Sequence, residues 1–271
     1  MLLNIAELSV KSQEYRKQII KMIYDGGAGH PGGALSCIDF LNVVYQDEVD
    51  FSKKHRSRVV LSKGHAVPAQ YAILHDFGFI AESEMKGFRN IDSRLEGHPH
   101  ALSIPQTDAT TGLLGQGLSI GVGMAMGKKI NKDESRVFVI LGDGEMQEGQ
   151  IWEAIMEAGH YGLSNLVVFV DKNGLSSHCK ACEQMNIDPL DEKFKAFNWN
   201  ATEIDGHDFH AIRSAINCAK NEEYKPTVII AKTVKGKGVS FMENNPQWHS
   251  GVISDEEYEI AMQDLATMGV E

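Results

Sequence analysis

With 271 residues, 42% of them hydrophobic, and a formal net charge of −11, the chain can bury a full core and is expected to form one large domain over residues 1–271. The acidic balance, with no basic stripe, argues against nucleic acid as the main partner, and no apolar run approaches the ~18 residues that span a membrane. An early acid, Glu7, and the lack of a basic leader make the first residues read as a helix start rather than a signal peptide, so the cytoplasm is the expected location.

In chain order the pattern predicts helices over residues 2–24 and 35–45, a strand over 58–61, and helices over 68–77, 82–89 and 116–131. A strand over 137–141, a helix over 147–161 and a strand over 166–171 follow. The chain then continues with a helix over 190–197, a strand over 201–204, a helix over 209–221, a strand over 227–233 and a helix over 255–268. The runs Val59-Val60-Leu61, 137–141 and 228–231 are apolar without alternation, as strands covered on both faces should be. Strands alternating with helices of this length predict a three-layer α/β/α fold around a parallel sheet. No repeat or low-complexity linker divides the chain. Its last residues, Gly269-Val270-Glu271, follow an amphipathic helix and read like a natural terminus.

Two motifs invite readings that their context argues against. Gly121-Val122-Gly123-Met124-Ala125-Met126-Gly127 imitates a dinucleotide fingerprint but lies inside a helical stretch with no strand before it. Small residues there serve close helix packing instead. Cys179-Lys180-Ala181-Cys182 lacks the second pair a zinc knuckle needs and the strand-to-helix setting of a redox motif, so it reads as an incidental thiol pair on a loop.

The most informative segment is Gly142-Asp143-Gly144, which closes a strand and is answered by Asp171-Lys172-Asn173-Gly174 at the end of the next one. An aspartate and an amide at two neighbouring strand ends can share one hard cation. Mg²⁺ takes such oxygen ligands and fills its remaining positions with water and phosphate. The edge beyond the strand ends is also where parallel sheets bind ligands. Asp-Gly equally makes ordinary turns after strands.

Four histidines stand beside glycines in loop-like settings: Gly29-His30-Pro31-Gly32, Lys63-Gly64-His65-Ala66, Gly97-His98-Pro99 and Trp248-His249-Ser250-Gly251. A sugar with several hydroxyls needs such imidazoles as donors and acid/base groups. The other seven, His207 among them, read as surface or packing residues. Thr110-Thr111-Gly112-Leu113-Leu114-Gly115-Gln116-Gly117 leads straight into a helix. It could wrap a diphosphate at the helix N-terminus or be an ordinary helix entry.

The Gly142–Asn173 pattern resembles the thiamine-diphosphate motif. Taken in order along most of the chain, from Gly29-His30-Pro31-Gly32 to Trp248-His249, the segments resemble the N-terminal part of transketolases. The resemblance implies a thiamine-diphosphate-binding α/β fold and transfer of a two-carbon ketol unit from a ketose phosphate to an aldose acceptor. It implies that Asp143, Asn173 and the backbone carbonyl of Leu175 bind Mg²⁺. His65, the turn of Gly112, Leu113 and Leu114, and Gly144 would hold thiamine diphosphate. His30, His98 and His249 would face the substrate, with His30 and His249 handling protons, and Glu148 matches an acid that couples paired sites near a subunit interface. Two departures are Leu113, where the family often has proline, and Ser250, where it commonly reads His-Gly.

Transketolases continue, beyond this part, into a pyrimidine-binding domain and a C-terminal domain, and the glutamate that bonds the cofactor's pyrimidine ring lies there. The resemblance therefore implies an N-terminal subunit of a split transketolase, partnered by a chain carrying the other two domains, in an α₂β₂ assembly. The alternatives are a subunit of another thiamine-diphosphate enzyme, of the 2-oxoacid dehydrogenase or deoxyxylulose-phosphate synthase type, and a non-catalytic scaffold subunit.

Overall fold

The computed structural model describes residues 2–268, so the tail Gly269-Val270-Glu271 lies outside the described residues. Its frame is a parallel sheet of five strands: β1 (Arg58–Leu61), β2 (Val137–Gly142), β3 (Leu166–Lys172), β4 (Asn200–Asp205) and β5 (Thr227–Lys232), in spatial order β1-β2-β3-β5-β4. Successive side chains point to opposite faces, and the apolar strands use both. Phe138, Ile140, Val167, Phe169 and Ile229 join one core, while Val137, Val139, Leu141, Val168 and Val170 join the other.

The first core is covered by α1 (Ile5–Asp25), α2 (Pro31–Glu48), α3 (Val67–Asp76), α9 (Phe209–Lys220) and α10 (Asp255–Thr267). The second lies under α5 (Gln116–Ile130), α6 (Gly149–His160) and α8 (Leu190–Ala196). This is the three-layer α/β/α arrangement that the apolar runs predict. Two short helices, α4 (Glu82–Met85) and α7 (Ala181–Gln184), lie in connections. Local chemistry sets several of the ends. Asn4 with Glu7 forms a capping box on α1, and Ser254 with Glu257 forms another on α10.

The differences from the sequence reading have physical causes. The helix predicted over 82–89 closes after one turn at Met85, and the chain leaves through Arg89, whose φ is +63°. The α2 helix begins at Pro31, not Leu35, because proline suits a first helical turn and burial carries Gly32 and Gly33 despite their poor propensity. The Gly121 segment is helical, and a Cβ on Gly121 would lie 2.3 Å from a Val139 methyl, so the close packing read from the small residues is real there. The second cysteine of the thiol pair falls within α7 rather than on open loop. Among the described residues no helix is long and apolar enough to cross a membrane.

Candidate active site

Parallel register places the site. Gly142 pairs with Asp171 across β2 and β3, so Asp143 and Asn173 leave the same sheet edge side by side. The Asp143 carboxylate accepts from Gly144 N at 2.8 Å and from Gly174 N at 2.6 Å. Asn173 Oδ1 accepts from Leu175 N at 3.1 Å, and its Nδ2 donates to Asp171 Oδ2 at 3.3 Å. Burial, and then the neighbouring Asp171 carboxylate, push the Asp143 carboxyl up to about 6. Negative charge is thus concentrated where a cation would relieve it.

Asp143 and Asn173 line a cavity of about 220 Å³ with His65, Leu114, Gly144, Glu148, Leu175 and His249. Gly112 and Leu113 are not part of its lining, and Leu113 is 76% exposed. Their turn is held between β1 and the His98 loop, since Thr111 Oγ1 donates to Leu61 O at 2.7 Å and Thr111 N to Pro99 O at 3.2 Å. His30 and His98 form the rim. The His30 ring centre lies 5.1 Å from that of His65, 5.4 Å from His249 and 6.4 Å from His98, and His65 lies 5.0 Å from His249. The four histidines from four separate segments do converge. They sit partly in regular structure: His30 stands at the N-cap position of α2 without a side-chain capping bond, while His65 and His249 lie in single 3₁₀ turns.

All four imidazoles are held neutral near pH 7. Burial, reinforced by the neighbouring cations and histidines, lowers His30 and His249 to about 4 each. It depresses His65 well below the usual imidazole range, and lowers His98 with help from Arg89. A neutral imidazole has one donor and one acceptor nitrogen, the form that can both orient a hydroxyl and take its proton.

Sequence reasoning gave no role to several charged groups here. Lys63 Nζ is buried, donates to Gly33 O at 2.8 Å and is ion-paired with Asp171, which also accepts from Ser36 Oγ at 2.5 Å and from Thr233 Oγ1. Burial opposes both charges, but their mutual attraction raises the ammonium and lowers the carboxyl, so the pair stays ionised. Glu145, two residues beyond Asp143, is buried. It accepts from Ser62 Oγ at 2.5 Å, Gly115 N at 3.0 Å and Gly142 N at 3.2 Å, binding three motif segments to one carboxylate.

Lys235 reaches in from the chain after β5. Its Nζ donates to Ser176 O at 2.7 Å and Leu175 O at 3.3 Å and lies 3.2 Å from His249 Nδ1. Burial, and then Lys63, lower it to about 8. Gly32 is required beside it, because a Cβ there would lie 2.6 Å from Trp248 O and 3.0 Å from Lys235 Cγ. The visible signal was Thr233-Val234-Lys235-Gly236, a lysine held by a glycine turn at a strand end.

The donors at the floor are a carboxylate, an amide oxygen and a backbone carbonyl, all hard oxygens of the type Mg²⁺ accepts. Among the described residues no group of three or more His, Cys, Asp or Glu side chains is placed to hold a metal. A cation at Asp143 would therefore need further oxygens from a ligand, as it would from a diphosphate. The cavity's two buried ammonium groups, Lys63 and Lys235, fit that anion.

Residues 11–268 match the family model described as transketolase, thiamine diphosphate binding domain. The chain is 37% identical over 269 residues to one of the subunits of the apulose-4-phosphate transketolase of Phocaeicola vulgatus, covering 97% of this chain and 95% of that one. It is 35% identical over 268 residues to a 6-deoxy-6-sulfo-D-fructose transketolase subunit of a Clostridium species, covering 97% and 98%. Among solved structures, transketolase from Campylobacter jejuni superposes with a TM-score of 0.92 at 30% identity, covering 97% of this chain but 43% of that one. The chain thus spans nearly the whole of relatives named as subunits and under half of the single-chain enzyme.

Proposed function

The chain belongs to the transketolase family as its thiamine-diphosphate-binding domain, and from that premise we propose that it is the N-terminal subunit of a split transketolase. It would transfer a two-carbon ketol unit from a ketose phosphate to an aldose acceptor. The observation that carries this reading is the β2–β3 register, which brings Asp143, Asn173 and Leu175 O to one cavity together with Lys63 and Lys235.

Asp143, Asn173 and the Leu175 carbonyl would hold Mg²⁺, the carbonyl through the lone pair that Lys235 leaves free. Gly144, His65 and the turn of Gly112, Leu113 and Leu114 would cradle the diphosphate, with Lys235 balancing its charge. When bound, thiamine diphosphate supplies the carbon nucleophile that this chain's side chains lack. His30, His98 and His249 face the space beyond. As neutral imidazoles they would hold the sugar hydroxyls, with His30 and His249 moving protons to and from the oxygens. Glu148 is exposed at the cavity mouth, where it would meet another subunit and couple paired sites.

The pyrimidine end of the cofactor would be bound by a partner carrying the pyrimidine-binding and C-terminal domains, in a cytoplasmic α₂β₂ assembly. The names of the full-length relatives, which call them subunits, support a partner. Affinity capture of the tagged chain from its host, followed by a ketol-transfer assay of the captured complex, tests the reading. Thiamine-diphosphate-dependent transfer between ketose phosphate and aldose is expected. Capture of the chain alone, without activity, would contradict it.

A further inference from the structure

Lys235 is carried by a strap, residues 233–238, that follows β5 and places the lysine in the cavity lining. A backbone that carries a buried ammonium into a ligand site must itself be fixed, or the charge is not preorganised. Several hydrogen bonds hold it: Thr233 Oγ1 donates to Asp171 and Thr233 N to Lys172 O at 3.2 Å, Asn244 N donates to Lys235 O at 2.9 Å, Gly236 N to Gly32 O at 3.0 Å, Arg16 Nε to Lys237 O at 3.2 Å, Gly238 N to Glu243 Oε1 at 2.9 Å, and Val234 N to His207 Nε2 at 2.9 Å. The His207 bond is the one made by a ring nitrogen, and it acts at the residue just before Lys235.

The His207 contact fixes its own chemistry. A backbone N–H can only donate, so Nε2 is the acceptor and the ring proton sits on Nδ1. Nδ1 then donates to Asp39 Oδ2 at 2.7 Å. Asp39 in turn receives both arms of Arg16, at 2.8 Å and 2.6 Å, inside the first core. Burial would raise the Asp39 carboxyl, but Arg16 and His207 hold it well below the usual carboxylate range. The relay joins α1, α2, the end of β4 and the strap. Its orientation follows the logic by which outer groups fix a functional histidine's tautomer.

We propose that His207, oriented by Asp39 and Arg16, is a positioning residue that sets Lys235 in the cofactor cavity through the Val234 amide. The inference rests on the functional reading above, and the test separates the two. Affinity for thiamine diphosphate, and for inorganic pyrophosphate as a simpler probe, is measured at saturating Mg²⁺ on the complex as purified. The proteins are wild type, His207→Asn, His207→Gln, Lys235→Met and the two His207 variants combined with Lys235→Met. The asparagine amide nitrogen replaces Nδ1 and keeps the Asp39 bond but offers Val234 no acceptor. The glutamine amide oxygen reaches the Nε2 position and keeps the Val234 bond.

The expected result is an about tenfold weaker affinity in His207→Asn, recovery of most of it in His207→Gln, and no further loss when either is added to Lys235→Met. Equal weakening by both His207 variants, or an undiminished His207→Asn effect in the Lys235→Met background, would overturn the proposal and leave His207 a packing residue. An unchanged affinity in His207→Asn would overturn it as well. Failure of the wild-type complex to bind either probe would overturn the functional reading, and the proposal with it.

Discussion

At the ends of β2 and β3 the site is built of charge, and every buried charge there is answered: Lys63 by Asp171, Glu145 by a hydroxyl and two amides, Asp143 by two amides. Above them four imidazoles face one another, His65 and His249 from the cavity wall and His30 and His98 from its rim, and among the described residues His30, His65 and His98 make no side-chain hydrogen bond. The floor is thus fixed before any ligand arrives, because an unpaired buried charge costs too much to tolerate. His30 and His98 keep their ring donors and acceptors free, as the proposed contacts to a sugar require, and the His249 ring hydrogen-bonds Lys235 alone among the described residues. The same low-polarity surroundings serve both, tightening ion pairs below and holding the histidines neutral above.

This contrast predicts that floor substitutions damage binding and stability, whereas substitutions of His30 and His249 damage turnover. The largest effect is expected from Asp143→Ala, which removes the one carboxylate facing the proposed cation. Mg²⁺-dependent binding of thiamine diphosphate should fall by at least ~100-fold with the circular dichroism spectrum unchanged, and retained affinity would contradict the metal assignment. Substituting His30 or His249 by alanine should lower ketol-transfer turnover by roughly 10²–10⁴-fold and move cofactor affinity far less. A loss confined to cofactor affinity would erase the distinction between these histidines and the floor.

Lys63→Met leaves Asp171 buried without its cation, at a cost of roughly 3–5 kcal/mol, a drop in Tm on the order of 10 °C. The same change paired with Asp171→Leu should recover much of it. The histidines carry a smaller, pH-dependent effect. His30 and His249 titrate at about 4 in the fold against 6.5 for a free imidazole. Between those values the unfolded chain binds protons that the folded chain refuses, so their contribution to stability is complete above pH 6.5 and is lost as pH falls toward 4. Tm measured from pH 7 to 4.5 should fall less steeply in the double variant H30Q/H249Q than in wild type. The smallest effect is expected from Glu148→Gln. Its exposed side chain has no hydrogen bond or ion pair among the described residues, so the Tm of the isolated chain should stay within ~0.5 kcal/mol equivalent.

Much of this frame is legible in the chain itself, for reasons that separate the readable parts from the rest. Strands buried on both faces write continuous apolar runs, and 137–141 and 166–171 lie within β2 and β3, which each extend one residue further. Parallel pairing of two such runs brings Asp143 and Asn173 together, so their partnership follows from local signals. The start of α2 was not legible, because Gly32 and Gly33 are poor helix formers kept there by tertiary burial. Nor is the role of His207. The His207–Asp39 bond joins residues 168 positions apart, and no local pattern announces a contact that depends on how two elements dock.

The most direct test of a site divided between two chains is the affinity of Mg²⁺–thiamine diphosphate for this chain alone and after mixing with the co-purifying subunit. The account predicts weak, Asp143-dependent binding by the chain alone and an increase of at least ~100-fold on mixing, about 2.7 kcal/mol, as the pyrimidine end gains its contacts. Tight binding by the chain alone, unchanged on mixing, would contradict it.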